Sequence, residues 1–211
     1  MLVEGVIFDL DGTLLDSMSV WNTVGDQYIR SQGIIPHEDL SETFKTMSLQ
    51  QAAEYYQTVY GLKKSMEEIV AGIDKILEHF YREKVQLKEG MREILEYFAN
   101  ENVKMCIATA NDKCLVENAL QRLEIREYFT DILTCEEVGV GKESPIIYEK
   151  ALECMNTKKE NTVVFEDAIH AIKTVKENGF TVVGVYEESE PDQETVKRIS
   201  DYYIKQREFF E

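Results

Sequence analysis

The sequence predicts an α/β fold, a doubly wound and mainly parallel sheet that carries an all-helical insertion near its start. Three observations lead there. From Gly90 onward, short apolar runs that read as strands alternate with helical patterns, and such alternation builds a parallel sheet with helices on both faces. One more apolar run stands apart at Gly5 to Leu10. Between them, roughly 16 to 87 shows helical periodicity and no strand pattern. That stretch reads as an inserted helical domain of residues 16–87, leaving 1–15 and 88–211 as the core.

The first run ends in Phe8-Asp9-Leu10-Asp11-Gly12-Thr13-Leu14, two carboxylates two residues apart where a buried strand meets a glycine turn. In an open parallel sheet, ligands bind outside the carboxyl ends of strands, so Asp9 and Asp11 are placed at such a crevice. A helix starts at Asp16 or Ser17, carries Val20, Val24 and Tyr28 on one stripe, and is stopped by Gly33 and Pro36. Ser48-Leu49-Gln50-Gln51 and Ser65-Met66-Glu67-Glu68 are capping-box patterns. The second opens a helix whose stripe is Ile69, Ile73, Ile76, Leu77 and Phe80.

Past Gly90, Met105 to Ala108 reads as a strand, followed by a helix with Leu115, Ala119, Leu120 and Leu123 inward. Ile132-Leu133-Thr134 is a weaker strand. Ser144 as N-cap and Pro145 at the first helical position open a helix through about Met155. Thr162 to Phe165 and Thr181 to Val185 are strands, separated by a helix that Gly179 closes. Tyr202 to Glu211 is read as a last strand and an acidic, aromatic surface end.

Three constellations fall at the ends of these later strands. Thr109-Ala110-Asn111-Asp112 sets a hydroxyl and free amides at a helix start, an arrangement that suits an anion and equally suits a helix cap. Gly139-Val140-Gly141-Lys142 holds a lysine in a glycine-rich loop ahead of a helix, within reach of an anion. Phe165-Glu166-Asp167 puts two acids after an apolar run, oxygen ligands for a hard cation such as magnesium. An N-cap role for Asp167 is compatible with that.

Composition limits the partners. The 211 residues are 44% hydrophobic, and 23 Lys and Arg against 40 Asp and Glu give a formal charge of −17. Nucleic acid and anionic membranes are therefore not expected partners. An anionic substrate would need positive charge supplied locally, by a metal, a lysine and backbone amides. No long apolar run or basic leader indicates a membrane span or signal segment, so a cytoplasmic protein is expected, with no membrane partner. Cys106, Cys114, Cys135 and Cys154 lie at irregular spacings with no CxxC, which reads as reduced, structural thiols. His37, His79 and His170 stand at no ligand spacing, and Tyr28, Tyr55, Tyr56 and Tyr60 read as core aromatics. Trp21 is the aromatic best placed at the mouth of the insertion.

These four segments together resemble the haloacid dehalogenase-like hydrolases, specifically phosphatases with a helical cap inserted after the first motif, similar to phosphoglycolate phosphatases and β-phosphoglucomutases. The likeness spans nearly the whole chain and rests most firmly on DxDGTL. It implies a Rossmann-like core, a cap, and magnesium-dependent hydrolysis of a small phosphorylated metabolite; separately from the resemblance, a monomer is the working expectation. The resemblance further implies Asp9 as nucleophile and Asp11 as acid and base, with the Asp11 carbonyl on the metal. Asp9 and Asp167 would be metal ligands, Glu166 a ligand or one shell removed, and Thr109, the Ala110 amide and Lys142 would bind the phosphoryl oxygens.

The chain departs from the pattern in places. A β-phosphoglucomutase-like cap carries a histidine where this chain has Trp21, and an arginine in the region that here reads Thr46-Met47-Ser48-Leu49. Ala168 and Ala171 replace a small hydroxyl and a glycine after the acidic pair. Hydrolysis is thus the expected reaction. The alternatives are a β-phosphoglucomutase-like phosphomutase and a catalytically idle protein that binds a phosphorylated metabolite, the latter having no need of a nucleophile and an acid.

Overall fold

The computed structural model describes residues 2–37, 40–44, 47 and 49–205. Two compact units are present, Met1–Asp16 with Val85–Glu211, and Ser17–Lys84.

The larger unit opens with β1 (Gly5–Phe8) and the two-residue β2 (Leu15–Asp16). The smaller unit then supplies α1 (Met18–Ser31), α2 (Leu40–Phe44), α3 (Leu49–Val59) and α4 (Met66–Glu83). The larger unit resumes with β3 (Gln86–Leu87), α5 (Met91–Asn100), β4 (Lys104–Thr109), α6 (Lys113–Arg122) and β5 (Phe129–Thr134). It closes with α7 (Cys135–Val138), α8 (Ile146–Met155), β6 (Thr162–Glu166), α9 (Ile169–Glu177), β7 (Thr181–Val185), α10 (Gln193–Ile199) and β8 (Tyr202–Ile204).

Six strands form one sheet in the order β5-β4-β1-β6-β7-β8, all parallel. The chain winds from β1 outward through β4 and β5, then returns to β6 on the other side of β1 and winds outward again. The reversal sits at β1, and a crevice opens at such a point past the carboxyl ends of the strands.

Alternation along each strand divides the core in two. Ile7, Cys106, Ala108, Val164 and Val182 face one way and pack with Ile147, Ala151 and Met155 of α8, Ile172 and Val175 of α9, and Val196 of α10. The opposite parity holds Phe8 and Phe165, whose rings lie 4.8 Å apart and meet Phe129 and Phe98 edge-on. Burial on both faces explains why these strands read as continuous apolar runs.

Among its described residues, the regular secondary structure of the smaller unit is all helix. Its strongest local determinant is the Ser65 capping box, in which Oγ accepts from the Glu68 amide at 3.2 Å and Glu68 Oε2 accepts from the Ser65 amide at 2.8 Å. Tyr28, Tyr56 and Phe44 form its aromatic centre, and the Tyr56 hydroxyl donates to the Gly25 carbonyl. Burial holds the Tyr56 hydroxyl's pKa well above the usual phenol range.

Several expectations are corrected. The first strand stops at Phe8 rather than Leu10, because the backbone turns to bring Leu14 and Leu15 amides onto the Leu10 carbonyl. The helical stretch read as 16–87 contains strand at both ends, since Leu15 and Asp16 pair with Leu87 and Gln86. Two-residue strands have no period to detect. Pro145 lies just outside α8, which starts at Ile146, and the Ser144 hydroxyl accepts weakly from the Ile146 amide at 3.5 Å. In α6 the buried face is Val116, Ala119 and Leu120, with Leu115 only half-buried, and in α4 Tyr81 is buried while Ile76 and Phe80 are half-buried. The strand read at Ile132 begins earlier, at Phe129. Thr46, Ser48 and the end of the chain beyond residue 205 lie outside the described residues, as does the side chain of Leu49.

Candidate active site

Register explains why the polar residues meet. Phe8 of β1 is level with Ile107 of β4 and Phe165 of β6. One residue further on, Asp9 leaves β1 beside Glu166, the last residue of β6, and its amide donates to the Phe165 carbonyl at 2.9 Å. Asp167 follows directly. Thr109 ends β4 on the other side.

Asp9, Glu166 and Asp167 are buried, and one carboxylate oxygen from each lies within 4.8 Å of the others. No other group of His, Cys, Asp or Glu among the described residues gathers this closely. Lys142 enters the same cluster from the loop between α7 and α8. Its ammonium is paired with the Asp9 carboxylate and donates to Glu166 Oε1 at 2.9 Å. Glycine makes that approach possible: Gly139 ends α7 with φ +82°, a left-handed conformation that turns the loop back to the sheet.

Electrostatics follow from the crowding. Burial and the Asp9 charge raise the Glu166 carboxyl to about 7, against the pull of Lys142. Burial, with Glu166 and Asp9 nearby, raises Asp167 well above the carboxylate range. For Lys142, burial alone would favour loss of the proton, but Asp9 and Glu166 outweigh it and hold the ammonium well above its ordinary value. Three carboxylates and one ammonium leave an ionised cluster two charges negative, and oxygen donors with that deficit fit a small divalent cation.

The remaining predicted residues border the cluster. Asp11 is half-buried, its Oδ2 accepts from Asn111 Nδ2 at 2.8 Å, and it is not one of the three carboxylates gathered in the cluster. Thr109 is buried, and its Oγ1 accepts from the Asn111 amide at 3.0 Å, which leaves its own proton to give. Ala110 is exposed at the strand end, and Asp112 caps α6 through the Cys114 and Leu115 amides. A cavity of about 280 Å³ opens elsewhere on this unit, past the ends of β7 and β8, with Lys88, Tyr186 and Glu187 in its wall.

Residues 6–185 match the haloacid dehalogenase-like hydrolase family. The chain belongs to that family. Among relatives of this hydrolase is a phosphorylated carbohydrates phosphatase of Thermotoga maritima, 27% identical over 154 residues that make up 73% of this chain and 71% of that protein. A crystal structure from the same organism, named for β-phosphoglucomutase, superposes with a TM-score of 0.86 at 25% identity, covering 98% of this chain and 96% of that one. CbbY of Rhodobacter sphaeroides, crystallised in complex with phosphate, shares the fold at TM-score 0.73 and 19% identity, over 96% and 94% of the two chains.

Three contacts made by the candidate site residues and the turn between them escaped the sequence. Thr13 donates to Asp167 Oδ1 at 2.8 Å across 154 residues, and Asn111 holds Asp11 across 100. Both stand inside motifs that were legible, but nothing in a linear pattern gives the partner. Lys88 donates to the Gly12 carbonyl, and its sequence surroundings carry no signal.

Proposed function

We propose that this hydrolase cleaves small phosphomonoesters, such as sugar phosphates or phosphoglycolate, through an aspartyl-phosphate on Asp9, with magnesium as cofactor. The observation that carries this is Asp9 at the carboxyl edge of the sheet, in one buried cluster with Glu166, Asp167 and Lys142. A purely structural carboxylate gains nothing from two buried acidic neighbours, whereas a nucleophile beside a cation site requires them.

Asp9, Asp167, the Asp11 carbonyl and, directly or one shell out, Glu166 would hold the ion. When bound, magnesium would offset the carboxylates' repulsion of a phosphate and polarise the phosphoryl group. In the reaction, an Asp9 oxygen forms the bond to phosphorus as the ester oxygen leaves with its electron pair, and that oxygen takes a proton from Asp11. Asp11 then removes a proton from a water whose oxygen attacks the same phosphorus, releasing phosphate and restoring Asp9. Asn111 orients Asp11 for both transfers. Lys142, the Thr109 hydroxyl and the Ala110 amide supply donors to the phosphoryl oxygens, which requires the ammonium to turn from Asp9 towards the substrate.

The Ser17–Lys84 unit acts here as a specificity cap. A phosphomutase is the second reading, favoured by the likeness to the structure named for β-phosphoglucomutase. Against it, the Trp21 indole donates to the Tyr81 hydroxyl at 2.8 Å and has no proton to relay at neutral pH. The described residues include no helix long and apolar enough to cross a membrane. A cytoplasmic setting is part of the proposal, supported by the four free cysteines.

The test is phosphate release from a panel of phosphorylated metabolites and an aryl phosphate, with magnesium and with chelator. Turnover is expected with magnesium only, with calcium inhibiting, and Asp9→Asn should lower it by several orders of magnitude. Asp9→Asn that keeps more than about a tenth of the activity would overturn the covalent mechanism.

A further inference from the structure

Lys88 directly follows β3, which pairs with β2, and the proposed mechanism does not use it. Its side chain is 17% exposed, and its ammonium meets three acceptors: the Gly12 carbonyl, the Tyr186 carbonyl and Glu187 Oε2, each at 2.6 Å. An ammonium has three donors, so all are used. The three acceptors lie at two places: Gly12 in the turn after β1, and Tyr186 with Glu187 in the segment after β7. Those two strands flank β6, whose end carries Glu166.

The turn has reason to need this support. Gly12 sits at φ +87° between Asp11 and Thr13, and its amide is bonded within the turn to the Leu15 carbonyl at 3.0 Å. Its carbonyl belongs to the Gly12–Thr13 peptide and is bonded by Lys88. The orientation of that peptide sets two side chains at once: Asp11 before it, and Thr13 after it, whose hydroxyl bonds Asp167. Glu187 is itself fixed, because its Oε1 accepts from the amide and hydroxyl of Ser189 at 3.1 and 3.0 Å and its carbonyl accepts from Gln193 Nε2 at 2.6 Å. A rigid anion thus orients the ammonium, and the ammonium orients the turn.

We propose that Lys88 is a positioning residue, a latch that holds the Gly12–Thr13 peptide in place and thereby aims Asp11 and Thr13, with Glu187 as its anchor. The latch touches no substrate and forms or breaks no bond. Its consequence for turnover rests on the phosphoryl-transfer reading of the site, whereas its consequence for the turn does not. Support at this distance from reacting groups is commonly worth about 10- to 100-fold in activity.

The experiment uses the full chain with Lys88→Met, Glu187→Gln and the double variant. For Lys88→Met, kcat for an aryl phosphate should fall about 10- to 100-fold while KM stays within about threefold, because the groups that bind phosphate are unchanged. Glu187→Gln keeps the Ser189-facing acceptor and should give a smaller loss of the same kind, with the double variant no worse than Lys88→Met alone. Backbone hydrogen exchange should rise about tenfold or more in residues 9–15 of Lys88→Met, with 104–109 and 162–166 still protected.

Turnover by Lys88→Met within about twofold of wild type would overturn the proposal. So would exchange that rises only around residues 181–189, since Lys88 would then anchor the end of β7 alone. If Lys88→Met does not fold, Glu187→Gln decides by the same two measurements. A wild-type protein inert towards every phosphoester would remove the functional reading, and faster exchange in residues 9–15 would still establish the latch.

Discussion

Replacing Asp167 by Asn should make the metal-free protein more stable while removing its response to magnesium. Asp167 lies with carboxylate oxygens of Asp9 and Glu166 within 4.8 Å. At an effective dielectric near 20, each of those repulsions is worth about 3 kcal/mol at that distance, and attraction to Lys142 cancels roughly one of them. Asparagine keeps an oxygen for the Thr13 hydroxyl, so that bond survives. In the wild type, protonation relieves part of the repulsion, because the Asp167 carboxyl is held well above its ordinary range. The net gain expected for Asp167→Asn is therefore about 2 kcal/mol at about pH 8.

The pH dependence has a definite sign. A carboxyl whose folded value is raised binds a proton in the folded state after the unfolded state has lost it, so stability falls as pH climbs from the unfolded value to the folded one. Glu166, raised to about 7, contributes in the same direction between about pH 4.5 and 7. The advantage of Asp167→Asn should shrink as pH is lowered and disappear at about pH 4. The assay is urea unfolding followed by far-ultraviolet circular dichroism, with chelator and with magnesium. Trp21 belongs to the other compact unit, so its fluorescence serves as an internal control. Magnesium should raise the wild-type midpoint and leave the variant's unchanged. A variant less stable than wild type in chelator at about pH 8, or an equal magnesium response in both, would refute the electrostatic reasoning.

Two further outcomes are expected. The Tyr148 hydroxyl is buried with no hydrogen-bond partner among the described residues, so Tyr148→Phe should raise stability by about 1 kcal/mol; a lower melting temperature would show that the hydroxyl is satisfied in solution. With β-glucose 1-phosphate as the offered ester, any turnover should yield inorganic phosphate, and isomerised sugar phosphate in clear excess over free phosphate would promote the mutase reading.

The sequence alone determined the layer architecture and the strand-end position of the chemistry. Strands buried on both faces, such as Thr162–Glu166, must be apolar throughout, and the first charge after such a run has to emerge at the sheet's edge. Asp9, Glu166 and Asp167 were legible as candidates for that reason, Thr109 from the helix start that follows it and Lys142 from its glycine-rich loop; the Ser65 helix start was legible because its capping box is a purely local exchange of hydrogen bonds. The tertiary structure decided which of these residues meet. Only the parallel register of β1 with β6 brings Asp9 beside Glu166, and only the loop after α7 carries Lys142 onto both. The β2–β3 pair, Thr13 on Asp167, Asn111 on Asp11 and Lys88 on Gly12 were invisible because each is a contact between distant residues whose types suit many partners. Periodicity reports which way a side chain faces, and only the folded chain supplies what it faces.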